Sequence, residues 1–120
     1  AAIERGGYAE ALARIGELLH RGEGEIPLYR LEHADKWIKK DKLFSSLPDN
    51  DVRRIRTEQA IIVDLEPQQA LETLPNLLSG KQDRERVLEL LEIFSSEANL
   101  TEQQERILQM VHTVLDGRAG

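Results

Sequence analysis

Apolar residues recur at helical spacing along almost the whole of this chain. Tyr8, Ala11, Leu12, Ile15, Leu18 and Leu19 share one face of a helix from about Tyr8 to Arg21. Gly22-Glu23-Gly24 ends it, because glycine frees the backbone to leave the helix. His20 and Arg21 suit the negative C-terminal end of its dipole. Pro27 then occupies a first helical position, and Leu28, Leu31, Ala34 and Ile38 predict a second helix to about Lys40. Leu43 and Phe44 anchor a short, less regular piece. The cluster Ser46-Leu47-Pro48-Asp49-Asn50-Asp51 is a turn and cap that opens a third helix, from about Asp51 to Asp64. The run Ala60-Ile61-Ile62-Val63 is apolar on several faces, which marks this helix as the most buried, running through the centre.

The second half of the chain repeats the theme. Glu66-Pro67 restarts it, and Ala70, Leu71, Leu74, Leu77 and Leu78 carry a fourth helix that Pro75 must break or kink. A fifth helix spans about Asp83 to Ser95 through Val87, Leu88, Leu90, Leu91, Ile93 and Phe94. The last begins at Thr101, where Thr101-x-x-Gln104 has capping-box form, and presents Ile107, Leu108, Val111, Val114 and Leu115 before Gly117. No segment alternates at period two over a strand's length. The pattern therefore predicts one all-α domain over residues 1–120, a compact bundle of about six helices, with flexible ends at 1–6 and 117–120.

Composition agrees with that reading. A length of 120 residues suits one domain with its own core, built mainly from aliphatic side chains since aromatics are only 4%. There is no Cys, which excludes disulfides and thiolate metal sites and suits a reducing compartment. The longest apolar run, Ala60 to Val63, falls far short of the ~20 residues of a membrane span. No charged-then-apolar signal segment opens the chain, so a cytoplasmic location is expected. A net charge of −6 disfavours general binding to nucleic acid or anionic membrane. The chain opens Ala1-Ala2 without an initiator Met, as expected of a processed chain or a piece of a longer one.

Two turns echo each other. Leu19-x3-Glu23-Gly-Glu-Ile26 and Ile93-x3-Glu97-Ala-Asn-Leu100 each lead into a helix, at a constant offset of 74 residues (93 − 19 = 74). The apolar residue before each new helix can staple onto it. Common helix-boundary chemistry produces the same pattern without kinship between the halves.

Gly22-Glu23-Gly24-Glu25-Ile26 resembles the A-D-G-x-I turn of tellurite-resistance TerB-like domains, and Ser96-Glu97-Ala98-Asn99-Leu100-Thr101 resembles its second copy. The middle of the chain is similar to a subgroup fused to polyhydroxyalkanoate-synthase-like α/β-hydrolase domains. The residues that carry this are Arg54-Ile55-Arg56-x-Glu58-Gln59 and Glu66-Pro67-x-x-Ala70-Leu71-x-x-Leu74-Pro75-x-Leu77-Leu78. The resemblance implies two pseudo-symmetric helical hairpins around a buried central helix pair. It also implies a bacterial cytoplasmic setting, a link to stress and tellurite resistance, and divalent-metal binding by acidic residues at the turns. Those positions map onto Glu23 and Glu97. Both are Glu where the family has Asp, Ala98 replaces a Gly, and Arg30 and Gln104 stand near the family's next acidic position.

Read for their own chemistry, Glu23, Glu25 and Glu97, with Asn99, are oxygen ligands suited to a hard cation, calcium or magnesium. Two carboxylates per turn make a tight site only if the turns converge. The plainer use is negative charge near the start of the following helix. Asp49-Asn50-Asp51 is similar to the start of an EF-hand loop but has Arg54 and Ala60 where Gly and Glu belong, so a helix N-cap is expected. His20, His33 and His112 lie far apart, without Cys or a second His at ligand spacing. No strained nucleophile elbow is present, and no catalytic centre is expected. Lys36, Lys40 and Trp37, with Arg53 and Arg56, form a basic patch with an aromatic in it if the second and third helices lie side by side. Glu32–Lys36 and Asp35–Lys39 pairs equally describe an ordinary charged helix face. Three functions follow: a TerB-like module that docks a protein partner and binds divalent metal weakly, an accessory domain of a larger hydrolase-like enzyme, and nucleic-acid binding through the basic patch.

Overall fold

In a computed structural model, residues 2–21, 41–97 and 99–116 are described, with the side chain of Leu43 outside that set. Every regular element among them is helical. A 3-10 turn, Ala2–Glu4, precedes α1 (Tyr8–Arg21), α2 (Lys42–Ser45), α3 (Asp49–Leu65), α4 (Pro67–Glu72), α5 (Leu74–Leu77), α6 (Lys81–Glu97) and α7 (Glu102–Asp116). The arrangement is an all-α bundle of about six helices, as the periodicity predicts. The predicted helix over 27–40 lies outside the described residues, as do Ala98 and 117–120, so the first hairpin of the expected pair is not on view.

The centre of the bundle is α1, not the third helix of the pattern. Eight α1 residues are buried: Tyr8, Ala11, Leu12, Ala13, Arg14, Ile15, Leu18 and Leu19. The helix packs against α3, α5 and α7. In α3 only Ile55, Gln59 and Val63 are buried, while Ile61 is 53% and Leu65 72% exposed. The reason is angular. Four consecutive apolar residues span a full helical turn, so some must point outward unless neighbours surround the helix. The four-residue spacing of positions 55, 59 and 63 is the stripe that meets α1.

Local signals set most of the boundaries. Pro75 splits the predicted fourth helix: Thr73 turns between α4 and α5, and Leu74, Pro75 and Leu77 are all buried. Pro67 opens α4 at its first position. Pro48, not an acidic side chain, occupies the N-cap of α3 and makes no side-chain cap bond. Asp49 and Asp51 instead lie in the first turn, where negative charge favours the dipole. At α7 the capping box forms in both directions. The Gln104 amide donates to the Thr101 hydroxyl oxygen at 3.0 Å, and the Thr101 amide donates to Gln104 Oε1 at 3.1 Å. Gln104 Nε2 then donates to the Leu19 carbonyl at 3.1 Å, tying the start of α7 to the end of α1.

Candidate functional site

Three arrangements stand out. The first is Arg14, which lies on the core face of α1, three residues after Ala11 and four before Leu18. It is fully buried. Its Nε donates to Gln59 Oε1 at 2.7 Å, Nη1 to the Ala70 carbonyl at 3.2 Å and the Thr73 hydroxyl at 2.9 Å, and Nη2 to the Ile3 carbonyl at 2.8 Å. One guanidinium thereby ties together α1, α3, the α4–α5 junction and the N-terminal turn. All four acceptors are neutral. Burial disfavours the charge and pulls the pKa down to about 10, partly opposed by Glu58 and Glu10. Because Nε can only donate, Gln59 must present its oxygen to Arg14, and its buried Nε2 is left without a partner.

The second is Asp41, which accepts from the Tyr8 hydroxyl at 2.7 Å and from the Phe44 amide at 3.1 Å, capping α2. Arg86 of α6 approaches the same carboxylate at 3.7 Å and lies 4.9 Å over the Tyr8 ring. Burial, then the bond to Asp41, push the Tyr8 phenol well above its ordinary value of 10.0. This unit fastens the starts of α1 and α2 to α6. It is saturated with protein partners and offers nothing to a substrate.

The third is a groove of about 320 Å³, open to solvent along one side, where α1, α3, α4 and α7 meet. Leu18, Val63, Leu71 and Ile107 make an apolar floor, and Met110 (43% exposed) stands on one wall. Pro67, Gln68, Gln103 and Arg21 also line it. Arg21 is the one charged residue among the described residues that line it. Its Nη2 donates to the Ala60 carbonyl at 2.9 Å and lies 3.6 Å from the largely exposed Asp64 carboxylate. On α7, positions 103, 107 and 110 follow one another around a single face, so the helix turns an uncharged side to the groove.

The residues singled out in the sequence are distributed differently. Glu97 is exposed at the end of α6. Glu23, Glu25, Lys36, Trp37 and Lys40 lie outside the described residues, as does His33. Arg53 is exposed and Arg56 half-buried on α3. Among the described residues no group of three or more His, Asp or Glu is placed to hold a metal ion. His20 and His112 are half-buried on different helices. Arg14, Gln59, Asp41 and the groove escaped the sequence reading. Their signals were faint: a polar residue at a core-facing position of an amphipathic helix, as with Gln59 midway between Ile55 and Val63. A groove needs the relative placement of four helices and has no local signal. No protein-family model matches the chain, and no curated protein or solved structure is similar to it.

Proposed function

We propose that this chain is a non-catalytic, TerB-like helical module of the bacterial cytoplasm that works by holding a protein partner in a stress response. The observation that carries the reading is the apolar groove, a concave and mostly uncharged surface on a molecule with 32% charged residues. The resemblance of the Gly22–Ile26 and Ser96–Thr101 turns supports the family, and the acidity and lack of Cys support the compartment. The test is a chromosomal Met110→Glu allele. It places a charge in the groove wall at an exposed position, so folding is retained. It should reproduce the tellurite or oxidative-stress sensitivity of a strain lacking the domain. A Met110→Glu strain that grows like wild type under stress removes the reading.

The metal part of the proposal rests on Glu23, Glu25 and Glu97 and is tested separately. A cation that binds only the folded state raises the melting temperature. Millimolar calcium or magnesium should raise it, and Glu97→Gln should reduce the shift; an unchanged melting temperature counts against metal. The middle-segment resemblance favours a second reading, an accessory domain of a hydrolase-like enzyme. An open reading frame that encodes a hydrolase domain beside this one supports it, and a frame that does not overturns it.

A further inference from the structure

Resting on the interaction-module reading, we propose that the groove receives one amphipathic helix of a protein partner, which inserts two leucine-sized side chains one turn apart and sets a carboxylate against Arg21. The size of the groove fits this occupant. A volume of about 320 Å³ is about ten times the roughly 30 Å³ of a water molecule in the liquid, enough for two four-carbon side chains. Its open side fits a helix laid along the surface better than a free small molecule, which buries most of its own area in its pocket. The floor of Leu18, Val63, Leu71 and Ile107 is preformed. Met110, unbranched and polarisable, adapts the wall to the side chains that arrive.

Charge selects the partner's polar residue. The chain carries 22 acidic side chains against 16 basic ones, yet among the described residues none that lines the groove is acidic and the one charge there is the Arg21 cation. Among the described residues Arg21 is engaged through Nη2, and Nε and Nη1 make no hydrogen bond there. Its contact with Asp64 is long, and Asp64 is 74% exposed, so an incoming carboxylate exchanges for it at little cost. A guanidinium fork left half-used beside an apolar trough is suited to a carboxylate approaching from the same side.

Met110 is the chain's only methionine, so its labelled ε-methyl group gives a single NMR signal from the groove wall. The full chain is titrated with an end-capped helical peptide bearing Leu at i and i+4 beside a Glu, and with twins carrying Gln or Lys in its place. The Glu peptide should shift the Met110 methyl and bind about fivefold more tightly than the Lys twin, with the preference fading at high salt. Arg21→Gln, checked for fold by circular dichroism, should bring the peptides to near-equal affinity. A methyl signal unmoved by all three peptides overturns the proposal, as does equal binding of the Glu and Lys peptides. Because the probe is a defined peptide, its failure beside a stress-sensitive Met110→Glu strain refutes this occupant and leaves the module reading standing. A wild-type-like strain removes that reading itself.

Discussion

Gln104 shows how one side chain decides between near-identical alternatives. It accepts from the Thr101 amide and donates to the Leu19 carbonyl, and it is buried. Glu could do the first and not the second, and it would bring a negative charge into the core. Gln104→Glu should therefore lower the unfolding free energy by about 2–4 kcal/mol in urea denaturation, with little change in m. Thr101→Ala, which removes only the hydroxyl cap, should cost about 1 kcal/mol. Tyr8 supplies a pH signature. Its folded pKa lies above its unfolded value, so its contribution is complete below pH 10 and is lost as pH rises beyond that. Arg14 acts in the opposite sense, because its folded pKa is depressed to about 10 and rising pH relieves the cost of its charge. Comparing wild type with Tyr8→Phe isolates the tyrosine. The stability gap between them should shrink on going from pH 9 to pH 11, followed by chemical denaturation.

Helix existence, type and several boundaries were legible in the sequence because they rest on local chemistry. The period of Tyr8 to Leu19, the break at Pro75, the restart at Pro67 and the Thr101–Gln104 box all act within a few residues. The choice of central helix was not legible. An apolar run such as Ala60–Val63 states how much surface can be buried, and only the neighbours decide how much is. The entry to α1 adds a backbone constraint of the same local kind. Gly6 adopts φ 123°, and a Cβ there would fall 2.5 Å from the Glu10 side chain, whose carboxylate accepts from the Gly7 amide. Gly6→Ala should cost about 1–2 kcal/mol by thermal unfolding, and Gly7→Ala, whose Cβ meets open space, much less.

Across the whole molecule, α1 is the element on which the others converge, and Arg14 is where they meet. Its partners lie 11, 45, 56 and 59 residues away in sequence. Bonds of that span close only after the chain between has been brought together, since loop entropy is lost before the contact forms. The network is therefore expected to close late on the folding path, which the Arg14→Met variant tests. Arg14→Met strands several buried acceptors and should cost about 3–5 kcal/mol. Nearly all of that should appear as faster unfolding, with the refolding limb of the chevron hardly displaced. A buried cation ringed by neutral acceptors thus acts on time as well as on energy. On that expectation it works as a latch on the native state's lifetime, engaged after the bundle has found its shape.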